Sequence, residues 1–269
     1  MKHNLKRIYR FIKRQYFTKF GLDRDLYLVY TMSKVGSSTV YNSLKKKYPF
    51  KEIHHIHFLG DTWLDSFKTG HPTFNNNLKN ASNLNKLLAK KRWNIKIISL
   101  TRDPIARDVS GIFQTWKHIF NVENITDVSA EMIIAHLKEI DFSYAQNWFE
   151  TDFKEFTGFD IFEHEFNSSR GYEIYSCKKA ELLIFQLEQL NSNFNLAMNR
   201  FIGKGEYKLH EENITASRAS GELNTKVKQL LKLSHQQLEN IYDSLYMSTF
   251  YNTSQIDKFK KRWLEELKE

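Results

Sequence analysis

Cysteine is nearly absent: Cys177 stands alone in 269 residues. The chain therefore has no internal disulfide and no Cys-based zinc site, and it fits a reducing compartment. Three prolines and ten glycines exclude collagen-like and low-complexity classes. No apolar run reaches the ~20 residues of a membrane span. Residues 1–22 do not read as a signal peptide either, because charge interrupts their apolar positions throughout. Against these absences, hydrophobic residues at 41% and aromatics at 14% exclude disorder of the whole chain. A chain of this length buries ~75% of its unfolded surface, enough for one large core.

Positive charge is in excess, but it is unevenly placed. The net charge is +9, and residues 1–22 hold Lys2, Lys6, Arg7, Arg10, Lys13, Arg14 and Lys19 with no acid. Residues 23–269 carry the other 33 basic side chains against 31 acidic ones. The body is no broad nucleic-acid binder, and nucleic acid is not an expected partner; any anion site in it must be local. Within 5–17, Leu5, Ile8, Phe11 and Ile12 fall at helical spacing between bases. Two readings stand for this basic amphipathic segment. Residues 1–20 rest on an anionic membrane surface, or the apolar stripe docks on the body with its charges solvated. The expected location is cytoplasmic, peripheral at the inner membrane face under the first reading.

From residue 23 to 269 the pattern is that of one α/β domain with a helical C-terminal region. LYLVYT (26–31) and IKIISLT (95–101) are continuous apolar, β-branched and aromatic runs, as strands buried on both faces are. EIHHIHF (52–58) is a further strand candidate, and ELLIFQL (181–187) reads as strand or helix. Helices are expected at 39–47, 83–93, from Pro104 onward with Asp103 as N-cap, at 129–139 and 143–156, and over most of 222–267. Residues 60–80, rich in Gly, Asn and Thr, read as a long loop. Strand–helix–strand alternation predicts a mostly parallel sheet with helices on both faces.

Two segments carry anion-binding chemistry. The first is Ser33, Lys34, Val35, Gly36, Ser37, Ser38 and Thr39, between a strand and a helix. Successive N–H groups at a helix N-terminus hold an anion. Gly36 admits close backbone approach, Lys34 adds charge, and the hydroxyls add donors. The nucleotide triphosphatase loop G-x-x-x-x-G-K-[ST] is not matched, because the lysine precedes the glycine. The second segment is RDPIARDVS (102–110), in which Arg102 ends a strand and Ser110 lies about two helical turns on. Open α/β sheets bind ligands at the carboxyl ends of their strands, where Arg102 and Ser110 can meet one phosphate. The plainer alternatives are a capped helix at each place and an Arg107–Asp103 or Arg107–Asp108 surface pair.

SKVGSST and RDPIARDVS, in this order, resemble the sulfotransferases that use 3′-phosphoadenosine 5′-phosphosulfate (PAPS). The stretches 147–162, 171–191 and 238–263 resemble the bacterial capsular polysaccharide synthesis protein family, itself similar to those sulfotransferases. The resemblance implies a P-loop-like three-layer fold, with PAPS as donor and a carbohydrate or polysaccharide as acceptor. It places the 5′-phosphosulfate on the loop 33–39 and the 3′-phosphate on Arg102 and Ser110. No metal is expected for such a transfer, because Lys34 and a helix N-terminus already neutralise the leaving group.

His54, His55 and His57 crowd IHHIHF. On a strand, His55 and His57 share one face. Metal ligation, a hydrogen-bonded structural role and a general base are all open. Certain glycan sulfotransferases with a histidine base carry a similar segment before the second motif, which makes His57 the first candidate base and His55 the second, with Lys34 stabilising the leaving group. Two other classes compete: a nucleotide triphosphate enzyme on a related sheet, and a non-catalytic capsule-assembly protein that keeps the fold.

Overall fold

The computed structural model describes residue 12 and residues 24–68, 75–90, 93–210 and 218–265. The basic segment 1–22, Ile12 apart, lies outside the described residues, and with it the choice between membrane surface and docked helix.

Five strands form one sheet: β1 Asp25–Tyr30, β2 Glu52–Ile56, β3 Asn94–Thr101, β4 Tyr172–Ser176 and β5 Glu181–Gln186. Their order is β2-β1-β3-β5-β4, parallel except for β4, which runs antiparallel to β5. The two expected apolar runs are the neighbours β1 and β3. ELLIFQL resolves to strand β5, buried between β3 and β4. Nothing in the sequence pattern marked β4, an edge strand whose residues are mostly half-buried.

The register sorts the side chains to two faces. Tyr27, Val29, Ile98 and Leu183 share one. On it Tyr27 stacks on Tyr48, just past helix α1 (Ser37–Lys47). The other face carries Leu28, Tyr30, Ile97 and Leu182. Tyr30 meets Trp148, Phe153 and Phe156 there. Cover on both sides explains why β1 and β3 lack the polar alternation of half-exposed strands.

Residues 60–80 are not a loop. They hold α2 (Asp61–Lys68) and the first turns of α3 (Asn75–Leu88), so α3 starts and ends earlier than the expected 83–93. Leu64, Phe67, Ala81 and Leu84 are buried, and this burial overrides the weak helix propensity of the asparagines. Helix α4 (Pro104–Phe120) begins as expected, with Asp103 as N-cap and Pro104 at its first position. Helix α5 is Ala130–Glu139. Then α6 (Tyr144–Trp148) passes through a wide, π-helical turn at Phe149–Phe153 into α7 (Lys154–Thr157). After β5 comes α8 (Leu190–Phe201). The C-terminal region is α9 (Arg218–Leu230), α10 (His235–Tyr242), α11 (Leu245–Phe250) and α12 (Thr253–Trp263).

Two buried carboxylates position the chain where strands become loops. Asp103 accepts from Ile105 N at 3.2 Å, from Tyr242 Oη at 2.9 Å and from Trp263 Nε1 at 2.9 Å. It thereby ties α4 to both α10 and α12. Asp152, in the π-helical turn, accepts from Tyr30 Oη at 2.6 Å, Gly60 N at 2.7 Å and Leu59 N at 3.1 Å. It fastens the segment after β2 to β1.

Burial raises the Asp152 carboxyl from 3.8 to about 7, against the pull of its hydrogen bonds from Tyr30, Gly60 and Leu59. The folded chain thus holds this proton more tightly than the unfolded chain. The contribution to stability is complete below pH 3.8 and is lost as pH rises through about 7. Asp152→Asn keeps acceptors for the amides and cannot titrate. Between pH 5 and pH 8 the wild type should lose on the order of 2 kcal/mol relative to this variant, read from urea midpoints. An unchanged difference across that range contradicts the assignment.

Candidate functional site

The chain leaves β1 through α1 to β2 on one side, while β3 lies on the other side of β1. Connections that part in this way open a crevice beyond the carboxyl ends of the two strands. Both candidate segments, 33–39 and 102–110, end up there, because one follows β1 and the other follows β3.

The first segment is bent by two left-handed residues, Lys34 (φ 69°) and Gly36 (φ 78°). At Gly36, the N-cap of α1, a Cβ would come within 2.6 Å of Leu187 Cδ1. Lys34 pays a steric penalty for its φ, and its neighbour Val35, fully buried, anchors the loop in the core. Arg102 Nη1 donates to Lys34 O at 2.6 Å, so the second segment holds the first in its strained shape. Arg107 also braces it: Nε reaches Ser33 O at 3.3 Å and Nη2 reaches Ser33 Oγ at 3.0 Å. The guanidinium of Arg107 lies 3.6 Å from the Tyr144 ring centre and pairs with Asp108. The Arg107–Asp108 pair expected at the surface is therefore buried, and Arg107 is a brace of the loop.

The Arg102 backbone is itself clamped. Tyr246 Oη accepts from Arg102 N and donates to Arg102 O, each at 2.9 Å. Asp103 N donates to Glu188 Oε1 at 2.8 Å. The C-terminal tyrosines, whose pattern carried no assignable chemistry in the sequence, are the holders of this junction.

Ser33, Lys34, Gly36, Ser37, Ser38 and Thr39 line one cleft of about 510 Å³, together with Arg102, Ser110 and His57. Val35 and His55 do not line it. Burial, then the nearby Arg102, Arg107 and Lys228, push the Lys34 ammonium pKa down. Among the described residues no carboxylate pairs with Lys34, so the cleft favours an anion. Ser110 Oγ donates to Ala106 O at 2.9 Å, so the hydroxyl must turn from that carbonyl to donate to an anion in the cleft.

The histidines separate as alternation predicts. His54 turns away and sits 3.4 Å from Glu52. His55 Nε2 bonds Ser37 Oγ at 2.8 Å, and its ring stacks on Tyr41. Burial, with His57 adding, lowers its pKa to about 4, so it is a neutral strut between β2 and α1. His57 Nδ1 is 2.7 Å from Thr31 O. A carbonyl only accepts, so Nδ1 carries the proton and Nε2 is left as the basic nitrogen. Burial lowers the His57 pKa, with Arg107 contributing, although the Thr31 bond opposes this. Trp148 Nε1 holds the His57 carbonyl at 2.8 Å. Among the described residues no three His, Cys, Asp or Glu side chains gather as a metal site.

Sequence reasoning missed Asp152, Trp148 and the α9 residues Ser220 and Asn224, which also line the cleft. The signal for α9 was present as polar residues four apart on an otherwise apolar-backed helix. Asp152 was an acid inside an aromatic run.

A family model described as "Putative capsular polysaccharide synthesis protein" matches residues 124–252. The matched stretch includes Trp148 and Asp152, which hold the segment after β2, and Glu188, Tyr242 and Tyr246, which hold the junction at Arg102 and Asp103. No curated protein and no solved structure gives a match. Among the described residues no helix is long and apolar enough to cross a membrane.

Gly36→Ala places a Cβ against Leu187 on a left-handed residue. It should destabilise the fold by roughly 1–2 kcal/mol, and it should weaken anion binding more than Ser38→Ala does. Thermal melts and phosphate titrations check both. Wild-type behaviour of Gly36→Ala refutes the constraint.

Proposed function

We propose that this chain is a sulfotransferase on a P-loop-like α/β fold, moving a sulfuryl group from PAPS to a hydroxyl of a surface carbohydrate. One observation carries the reading. Two anion-binding loops from adjacent parallel strands meet in a single cleft beside a histidine whose tautomer leaves Nε2 basic. The match to a capsular polysaccharide synthesis family supports a polysaccharide, or its precursor, as acceptor.

In this reading the donor's 5′-phosphosulfate lies on the N–H groups of Gly36, Ser37 and Ser38 and the Thr39 hydroxyl with Lys34 beside it, and its 3′-phosphate lies on Arg102 and Ser110. The acceptor oxygen attacks sulfur as the bond from sulfur to the bridging phosphate oxygen breaks. The acceptor's proton passes to His57 Nε2, and adenosine 3′,5′-bisphosphate leaves. Thr31 O holds the Nδ1 proton and steadies the imidazolium that forms. Lys34 stabilises charge growing on the bridging oxygen, a preorganised contribution of ~2.7–4 kcal/mol for a well-placed donor. His55 supports Ser37 and takes no proton.

The test is transfer of labelled sulfate from PAPS to a polysaccharide acceptor. His57→Ala should lower turnover ~10²–10⁴-fold and leave affinity for adenosine 3′,5′-bisphosphate near wild type. Lys34→Ala should lower kcat more than donor affinity, because its role grows with leaving-group charge. A lowered His57 pKa puts the acid limb of kcat/KM below the ordinary 6.5. Donor binding without any transfer would favour the non-catalytic reading. An active His57→Ala with a dead His55→Ala would move the base to its neighbour.

A further inference from the structure

Helix α9 belongs to neither anion segment, yet it forms a wall of the cleft. Ser220, Asn224 and Lys228 recur every four residues and so share one face of the helix. Val227 is fully buried toward the body. Ser220 and Asn224 line the same cleft as Lys34 and Arg102. Asn224 Oδ1 is buried and, among the described residues, has no hydrogen-bond partner, and a buried acceptor left unpaired is costly. One turn on, Lys228 is close enough to Arg102 and Lys34 to act on both, and burial followed by Arg102 and Arg262 lowers its own pKa. Among the described residues no carboxylate pairs with Lys228. An unpaired amide oxygen in the wall of an already cationic cleft, with an unpaired ammonium one turn further along the helix, fits a partner that supplies both a donor and negative charge. Phe113 stands in the same lining as a flat apolar surface for a ring.

We infer that α9 is part of the ligand site, with Asn224 accepting a hydrogen bond from an N–H or O–H of the ligand and Lys228 pairing with its anionic group beside Arg102. The ligand class that fits is a ring compound with an N–H or O–H donor and at least two negative charges, which deepens the reading of a nucleotide bisphosphate proposed above and rests on it only for the choice of probe.

Two probes separate the roles in titration calorimetry on the full chain. Adenosine 3′,5′-bisphosphate carries anions and N–H donors; inorganic pyrophosphate carries anions alone. Lys228→Met should weaken both by about 10- to 100-fold. Asn224→Ala should weaken the nucleotide by about 2- to 10-fold and leave pyrophosphate unchanged. Asn224→Asp, which adds a negative charge, should weaken both. Thermal melts confirm that each variant is folded, and Lys228→Arg should restore most of the binding. If the wild type binds the nucleotide and the α9 variants bind it equally well, the inference falls while the nucleotide reading stands. If the wild type binds only pyrophosphate and Lys228→Met weakens it, the anion role of α9 stands, and the Asn224 assignment falls with the nucleotide reading. Binding of neither probe overturns both.

Discussion

The carboxylate of Asp103 is the constraint on which the site depends. It sits between β3 and α4 with almost no solvent exposure, and it collects a backbone amide, a tyrosine hydroxyl and a tryptophan N–H from three different helices. Burial raises its pKa, while the bonds from Trp263, Tyr242 and Ile105 pull it back. Removing one partner of such a group leaves a desolvated polar atom unpaired, which costs ~1–3 kcal/mol or more. The C-terminal helices are thereby bound to the one junction that presents Arg102. Because Arg102 in turn holds Lys34 O, the geometry of the first loop is set from the far end of the chain.

Tension between stability and function is visible at the same place. Lys34 is held in a left-handed conformation and crowded by Arg102, Arg107 and Lys228. Strain and like-charge repulsion of this kind persist only where the surroundings over-determine the conformation. Here Val35 in the core, Leu187 against Gly36, and two arginines on the loop's carbonyls do so. An anion in the cleft would relieve the repulsion.

Much of this was legible in the sequence. β1 and β3 announced themselves by unbroken apolar runs, and α4 by its Asp-Pro start. The motifs 33–39 and 102–110 converge because each directly follows a strand of a parallel sheet, which local pattern does predict. What local pattern does not contain was missed. The helices at 61–68 and 75–88 owe their form to burial of Leu64, Phe67, Ala81 and Leu84, not to propensity. The edge strand β4 is defined by its pairing with β5. Arg107 looked like a surface ion-pair member, and only the packing of Tyr144 and Ser33 around it makes it a brace. The tautomer of His57 depends on the carbonyl of Thr31, and backbone atoms leave no trace in residue identity.

Under the proposed function, Arg102, fixed by the Asp103 junction, reads a 3′-phosphate in the cleft it shares with Lys34. Comparing adenosine 3′,5′-bisphosphate with adenosine 5′-monophosphate by calorimetry tests this most directly. The wild type should prefer the bisphosphate, because charge-assisted bonds to phosphate are worth ~1.5–3 kcal/mol each. Arg102→Ala should erase that preference by lowering bisphosphate affinity about one to two decades, with the monophosphate little changed. Equal binding of the two nucleotides by the wild type, or a preference that survives Arg102→Ala, contradicts the account.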